Sequence, residues 1–186
     1  MARLAHELDQ STRVVGVRDL DWYYGTQPPD EPVIRDGNGW ILLDLPCKEL
    51  ENLLCDVDIL HAAYEQIVPR DALSIVLEEE SNNDELLHEW RINVQPRIRK
   101  QLENRLDDAT KEQKAIETFN EWSNDHRLRA GLVAGKPLLG KVRERIKRDH
   151  GVSCYPTRVL ERVTVLTPPL ASIASAMFPN SEFPKL

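Results

Sequence analysis

The sequence predicts a mainly α protein: an irregular helical bundle with one long charged helix and a small N-terminal β-hairpin and arm. Apolar residues recur at three- and four-residue spacings from Pro46 onward, which is the period of an α-helix. The preceding residues instead carry short β-branched runs, glycine turns and prolines. We therefore expect an arm and hairpin over residues 1–46 that pack on the main domain, a helical domain over 47–178 and a tail over 179–186.

The composition is that of one globular domain. The chain has 186 residues, of which 41% are apolar and 30% are charged, unlike a disordered chain. No apolar run reaches the roughly 18 residues that a membrane span needs, and the N-terminus lacks the apolar stretch of a secretory signal. We therefore expect a cytoplasmic protein without membrane contact and without a cofactor.

The three cysteines are predicted to be free thiols. Cys47 and Cys55 fall on one predicted helix, where a rise of about 1.5 Å per residue separates them by roughly 12 Å. A disulfide needs Cα atoms within about 7 Å of each other, and the same separation argues against a shared metal ion. We expect a reducing compartment and no metal site.

A β-hairpin is predicted before the helices begin. Val33-Ile34-Arg35 and Trp40-Ile41-Leu42-Leu43 flank the turn sequence Asp36-Gly37-Asn38-Gly39. Because an isolated hairpin is marginal in water, we expect this one to lie on another part of the molecule.

The first helix is predicted over residues 47–68, where Pro69 ends it. Its apolar face is formed by Leu50, Leu53, Leu54, Val57, Leu60, Tyr64, Ile67 and Val68. Residues 72–77 follow as a short helix or a strand. Residues 78–84 are predicted to be a solvated connector, in which Ser81 and Asp84 mark the start of the next helix.

The long charged helix is predicted over residues 97–124. Leu87, Trp90 and Val94 share a face until Pro96, which ends or kinks the preceding helix. One narrow apolar stripe then runs along a highly charged segment, which is typical of a helix that leans on a single neighbour.

The C-terminal helices have clear boundary signals. Asp125 is predicted to cap a helix over 127–134, and a second helix is predicted to start at Pro137 and to stop at Gly151. A third helix can start at Pro156, and an apolar segment follows over 170–178.

Charge is polarised along the chain. Residues 1–85 carry 19 acidic and 6 basic side chains, a net charge of −13, whereas residues 127–163 carry 10 basic and 3 acidic side chains, a net charge of +7. Such a distribution favours head-to-tail contact between like subunits, or a basic face for a polyanion. The predicted binding residues are Arg127, Arg129, Lys136, Lys141, Arg143, Arg145, Lys147, Arg148, Arg158 and Arg162.

Aromatic and terminal apolar residues form a second set of predicted contacts. Large aromatic side chains are favoured at protein interfaces. The predicted interface residues are Trp22, Tyr23, Tyr24, Trp40, Phe183 and Leu186.

We interpret the chain as a non-catalytic assembly or adaptor subunit that contacts protein partners, either copies of itself or a larger complex. One alternative is a nucleic-acid-binding protein that uses residues 127–162. Residues 146–153 resemble helix-turn-helix DNA-binding domains at their turn, although Pro156 falls inside what would be the recognition helix. The other alternative is a small helical enzyme whose site is assembled from scattered residues, since no catalytic motif is present.

Overall fold

The computed structural model describes residues 14–20, 27, 29, 32–37, 40–102, 106–154 and 167–177. In this part the fold is mainly α with a small three-stranded sheet, which confirms the predicted fold class. The strands are β1 (Val14–Arg18), β2 (Val33–Gly37) and β3 (Trp40–Asp44), and a 3-10 helix follows at Leu50–Leu54. The α-helices are α1 (Val57–Ala63), α2 (Arg70–Ser81), α3 (Asp84–Gln101), α4 (Asp108–Asn124), α5 (His126–Leu132), α6 (Gly135–His150) and α7 (Pro168–Met177).

The predicted hairpin is confirmed as β2 and β3, which pair antiparallel with Gly37 opposite Trp40. A third strand, which the sequence did not define, completes the sheet, since β1 pairs parallel to β3 on its other side. Ile41 and Leu43 are buried and pack in a small core with Ile173 of α7. The hairpin is therefore supported by a helix.

The other face of the sheet holds a buried carboxylate between two arginines. Asp44 accepts hydrogen bonds of 2.7 Å from Arg18 Nε on β1 and from Arg35 Nε on β2. Burial alone raises the pKa of Asp44, but the hydrogen bonds from Arg18 and Arg35 outweigh it and lower the pKa below its ordinary value. The ionised Asp44 side chain therefore links all three strands of the sheet.

The single helix predicted over 47–68 is wrong, because the chain forms two shorter helices there. The 3-10 helix ends at Leu54, and α1 starts after Asp56, whose carboxylate accepts hydrogen bonds from the N–H groups two and three residues later. This cap requires an extended backbone at residue 56, which interrupts the helix in spite of its continuous apolar pattern.

The connector predicted over 78–84 is mostly helix. The three glutamates at 78–80 lie on the last turns of α2, and Ser81 is fully buried. The cap of α3 is Asn83, whose Oδ1 accepts a hydrogen bond of 3.1 Å from Glu85 N. Leu73 and Val76 of α2 are buried in the core. This burial stabilises the helix, although the three glutamates near its C-terminus do not favour a helix there.

The long helix predicted over 97–124 is instead two helices, α3 and α4, which fold into an antiparallel hairpin. α3 continues through Pro96, and α4 begins after Asp107, which caps it. The rings of Trp90 and Phe119 meet across the hairpin, with their centroids 4.8 Å apart. Folding back lets the apolar stripes of the two helices bury each other, which one straight helix cannot do.

The predicted cap at Asp125 and the predicted stop at Gly151 are confirmed, whereas α5 ends at Leu132 and α6 begins at Gly135, two residues before the predicted start at Pro137. The Asp125 carboxylate accepts hydrogen bonds from the first N–H groups of α5. α6 ends at Gly151, whose φ of 69° lies in the left-handed region that glycine favours. Residues 170–177 of the predicted apolar segment lie in α7, whereas the helix predicted from Pro156 lies outside the described residues.

A buried amide joins the N-terminal part to the main core. Asn52 Nδ2 donates hydrogen bonds to the carbonyls of Ala130 (2.8 Å) and Val133 (3.0 Å) at the end of α5, and its Oδ1 accepts one from Glu49 N at 2.8 Å. A Cβ atom on Gly135 would lie 2.7 Å from Asn52 Oδ1 and 2.8 Å from Asn52 N. α6 therefore starts against Asn52 at a distance that only glycine allows.

We expect Gly135→Ala to lower the free energy of unfolding by about 1–3 kcal/mol, because the methyl group pushes Asn52 away from the α5 carbonyls. Gly140→Ala on the same helix is the matched control, since no described atom from elsewhere lies within 4 Å of a Cβ there. It should be neutral or stabilise by up to about 1 kcal/mol. Urea unfolding measures both, and equal effects contradict the close approach.

We expect Asp44 to stabilise the fold only while it is ionised. Because its native pKa is lowered, its contribution is present above the ordinary value of 3.8 and is lost as the pH falls through the native pKa. The difference in unfolding free energy between the wild type and Asp44→Asn should therefore be largest near about pH 6 and should shrink below about pH 4.

The control for this pH dependence is the double variant Arg18→Gln, Arg35→Gln. In that background only burial acts on Asp44 and raises its pKa, so the difference between Asp44 and Asp44→Asn should no longer shrink as the pH falls below about 4. A pH-dependent difference of the same size with and without the arginines would contradict the assignment.

Candidate functional site

α6 carries most of the predicted basic residues and is amphipathic, as the sequence indicates. Its buried face consists of Leu138, Leu139, Val142 and Ile146. The basic side chains therefore lie on the remaining sides, and their availability depends on the carboxylates that neighbouring helices place beside them.

The basic side chains of α6 meet carboxylates from the acidic N-terminal half of the chain. Arg145 Nη2 lies 3.0 Å from Glu79 Oε2, and Arg145 Nη1 lies 3.6 Å from Glu80 Oε1, both on α2. Lys141 Nζ lies 3.3 Å from Glu85 Oε2 on α3. The opposite charges of the two sequence regions are therefore paired within one molecule.

The two ends of α6 carry further pairs. Lys136 Nζ lies 3.7 Å from Glu51 Oε1. At the other end, Asp149 accepts hydrogen bonds from Arg148 Nε at 2.9 Å and from Arg145 Nε. These hydrogen bonds, with that from Arg148 first, lower the pKa of Asp149 below its ordinary value. Asp149 thus stays negatively charged beside the last basic residues of the helix.

Glu49 anchors the first turn of α6. Its Oε2 accepts a hydrogen bond of 3.0 Å from Lys136 N, and its Oε1 accepts one of 3.0 Å from Lys48 Nζ. Burial alone raises the pKa of Glu49, but these two hydrogen bonds outweigh it and lower the pKa. The start of a helix favours negative charge. The N-cap residue Ala134 has no side-chain acceptor, so Glu49 supplies the acceptor for the first turn of α6.

Arg129 differs most from its predicted role, because it is only 6% exposed. Its Nη1 donates to Ser123 O at 2.7 Å, its Nε to Ser81 Oγ at 3.2 Å and its Nη2 to Glu78 O at 3.5 Å. These acceptors lie at the C-terminal ends of α4 and α2, where the helix dipole favours a cation. Arg129 therefore holds α2, α4 and α5 together and is not accessible to a partner.

Only part of the predicted basic surface is open. Arg127 and Lys147 are exposed, and no carboxylate of the described chain lies within ion-pair distance of either. The Arg148 side chain is 67% exposed beside Asp149. Arg143 Nε donates to the carbonyl of Cys154 at 2.5 Å. The described basic residues therefore do not form one continuous cationic face.

Trp40 is the member of the predicted interface set that the structure describes. Its ring packs directly over Gly37 on the paired strand, and the residue is half-buried. It therefore stabilises the hairpin. The other predicted contact residues lie outside the described residues: Arg158, Arg162, Trp22, Tyr23, Tyr24, Phe183 and Leu186.

A cleft of about 1040 Å³ between the 3-10 helix, α1, α2 and α5 contains the titratable groups that the enzyme alternative requires. Its thiols, Cys47 and Cys55, are free and buried. Burial raises the pKa of Cys47 to about 12 and raises that of Cys55 as well, so both are protonated and poorly nucleophilic at neutral pH. Asp56 caps α1, and Asp58 pairs with Arg70. Both carboxylates hold helices in place.

A second groove, of about 650 Å³, runs along the α3–α4 hairpin, where the sequence analysis placed no site. Ile92 lies in this groove and is 56% exposed. Pro96, one turn further along α3, has no N–H to donate to the Ile92 carbonyl. The α3–α4 groove therefore presents an apolar side chain next to a backbone carbonyl that lacks its helical hydrogen bond.

The charge of the α3–α4 groove is positive. Both of its carboxylates pair with Arg99, at 3.1 and 3.3 Å. The Arg91 guanidinium lies 5.2 Å from the centroid of the Phe119 ring. In the described part of the chain, no carboxylate lies within ion-pair distance of Lys100 or Lys111. The net charge of +2 comes from Arg91, Arg99, Lys100 and Lys111 against Asp108 and Glu112.

Sequence reasoning missed this groove for an identifiable reason. It assigned Leu87, Trp90 and Val94 to one shared face and made no prediction for the other sides of the helix. Ile92 falls two residues after Trp90 and lies away from that face. An isoleucine off the buried face, one turn before a proline, is the signal that could have identified the site.

Neither a metal site nor a membrane span is found in the part of the chain that the structure describes. No three histidine, cysteine, aspartate or glutamate side chains come together there as metal ligands. No described helix is long and apolar enough to cross a membrane. Comparison with protein-family models, with curated proteins and with solved structures found no match.

We expect Arg129→Ala to lower the free energy of unfolding by about 2–4 kcal/mol, because it leaves buried acceptors at the ends of two helices without a donor. The matched control is Arg127→Ala, two residues earlier on α5, which is exposed and should change the unfolding free energy by less than about 0.5 kcal/mol. Urea unfolding separates the two outcomes. Similar small effects would show that Arg129 is not a structural residue.

Proposed function

We propose that this protein is a non-catalytic assembly or adaptor subunit and that it contacts a protein partner through the α3–α4 groove. The observation that carries the proposal is the exposed Ile92 in a groove with two lysines that have no described carboxylate partner. Most of the described cations of α6 are already paired within the chain, so the groove is the better candidate for an external contact.

The chemistry of the groove specifies the kind of partner. Ile92 suits an apolar side chain, because a few buried apolar anchors supply most of the energy of a protein interface. Lys100 and Lys111 suit carboxylates around that anchor, which speed association and fix orientation. The partner segment is therefore expected to carry an exposed apolar residue flanked by acidic residues.

The same features favour a protein over a nucleic acid as the partner. Two carboxylates, Asp108 and Glu112, lie inside the groove, pair with Arg99 and leave a net charge of only +2, which is small for a contact with a phosphate backbone. The exposed Ile92 gains nothing from contact with a phosphate backbone. Both are compatible with a protein surface of mixed polarity.

The test is the association state of the purified protein. Light scattering over a range of concentrations should give masses above that of the 21.4-kDa chain, and the excess should fall as salt screens the lysines. In the variant Ile92→Ser, Lys111→Glu, the association constant should drop about tenfold or more. Ile75→Ser is the control, since Ile75 is 55% exposed on α2, outside the groove.

A second arm covers a partner that is absent from the purified sample. Cross-linking in cells that express either the wild type or the groove variant, followed by mass spectrometry, identifies proteins bound through the groove. Self-association and cross-linked partners that are the same for the wild type, the groove variant and Ile75→Ser would contradict the proposal.

A further inference from the structure

We propose, on the basis of the proposed function, that Arg99 makes the α3–α4 groove selective for an acidic partner. Arg99 pairs with both carboxylates of the groove. It thereby leaves Lys100 and Lys111 without a carboxylate partner in the described part of the chain. Arg99 is a positioning residue in this proposal, because it acts through the charges around it as well as through its own.

The guanidinium of Arg99 reaches two carboxylates of α4 at once. Its Nη2 lies 3.1 Å from Asp108 Oδ1, and its Nη1 donates to Glu112 Oε2 at 3.3 Å. Asp108 and Glu112 are four residues apart on α4, so they lie on the same side of the helix. Because a guanidinium presents its donors in a fixed fork, a single arginine holds both carboxylates.

The cap of α4 decides which aspartate is available to Arg99. The carboxylate of Asp107 is already used within the helix, since it accepts hydrogen bonds from Thr110 N at 2.8 Å and from Thr110 Oγ1 at 2.7 Å. Asp108 lies in the first turn of α4, where the helix dipole favours a negative charge. Asp108 is therefore the aspartate that pairs with Arg99 across the hairpin.

Lys111 is the partner that Asp108 would have without Arg99. The two residues are three positions apart on α4, a spacing at which opposite charges on a helix pair with each other. In the structure Asp108 pairs with Arg99 instead, and no described carboxylate lies within ion-pair distance of Lys111. Arg99 thus keeps Lys111 available to an external carboxylate.

Glu112 has no basic neighbour of its own on α4. The residues three and four positions away from it carry no positive charge: Asp108, Ala109, Ala115 and Ile116. Without Arg99, Glu112 either repels an acidic partner or pairs with Lys100 and withdraws that lysine from the partner. Loss of Arg99 therefore weakens the binding of acidic groups by more than the loss of one positive charge.

Arg91 is the matched comparison, because it lines the same groove without engaging the carboxylates. Its guanidinium lies 5.2 Å from the centroid of the Phe119 ring, and no described carboxylate lies within ion-pair distance of it. Arg91→Gln and Arg99→Gln each lower the net charge of the groove from +2 to +1. Only Arg99→Gln also releases the two carboxylates, so the pair separates net charge from the arrangement of the charges.

The test compares the affinity of the groove for two synthetic peptides. One peptide has a leucine between glutamates, and the other has lysines in place of the glutamates. NMR titration, followed at the methyl signals of Ile92, gives a dissociation constant for each peptide. The wild type should bind the glutamate peptide about tenfold more tightly than the lysine peptide.

Arg99→Gln should reduce this preference about fivefold or more, whereas Arg91→Gln should reduce it less than about twofold. The Arg99 side chain is 41% exposed and Arg91 is exposed, so both variants should fold, which circular dichroism and thermal unfolding verify. Equal reductions in the two variants, or an unchanged preference in Arg99→Gln, overturn this inference. Either result leaves the groove as a binding site.

An independent check removes the carboxylates that Arg99 engages, in the double variant Asp108→Asn, Glu112→Gln. Adding Arg99→Gln to this variant should reduce the preference no more than Arg91→Gln reduces it in the wild type. A larger reduction shows that Arg99 acts only through its own charge and overturns the inference.

Failure of the proposed function gives a different result. A wild type that binds neither peptide, or that binds both equally, overturns the proposed function and this inference with it. The same holds if Ile92→Ser, followed at the amide signals of α3, binds both peptides as the wild type does.

Discussion

The buried side chain of Asn52 sets the relative positions of the 3-10 helix, α5 and α6. Its amide satisfies two carbonyls at the end of α5, and each would cost about 1–3 kcal/mol if it were left buried without a donor. Gly135 allows α6 to begin directly against this amide, and Glu49 holds the first turn of α6 from the same segment. The direction of α6, and hence the carboxylates that its basic side chains reach, follows from this junction.

The acidic and basic regions of the sequence largely pair with each other inside the folded chain. Arg145 and Lys141 reach carboxylates of α2 and α3, and Arg129 is buried against the ends of two helices. Pairs of this kind at a surface contribute little each to stability, but they remove most of the described α6 cations as a binding surface. Arg127 and Lys147 stay exposed as single cations. In the α3–α4 groove, by contrast, two lysines lie next to an exposed isoleucine, and both carboxylates pair with Arg99.

Local signals of a few adjacent residues predict several boundaries correctly, whereas long periodic patterns do not. The hairpin, the Asp125 cap and the stop at Gly151 depend on the turn or cap chemistry of a few adjacent residues. The apolar patterns over 47–68 and 97–124 each predict one helix, because apolar periodicity does not show where the chain reverses direction between two helices. The candidate groove was missed for a related reason, since Ile92 lies off the stripe that defined α3.

By itself, the sequence determined the mainly α class, the amphipathic face of α6 and the uneven distribution of charge along the chain, because these follow from composition or from contacts between near neighbours. Only the tertiary structure decided which charges are exposed. Lys141 and Glu85 are 56 positions apart, and no local pattern predicts that they meet. The α3–α4 groove likewise exists only because the chain reverses between two helices, which buries Phe119 against Trp90 and leaves Ile92 on the outside.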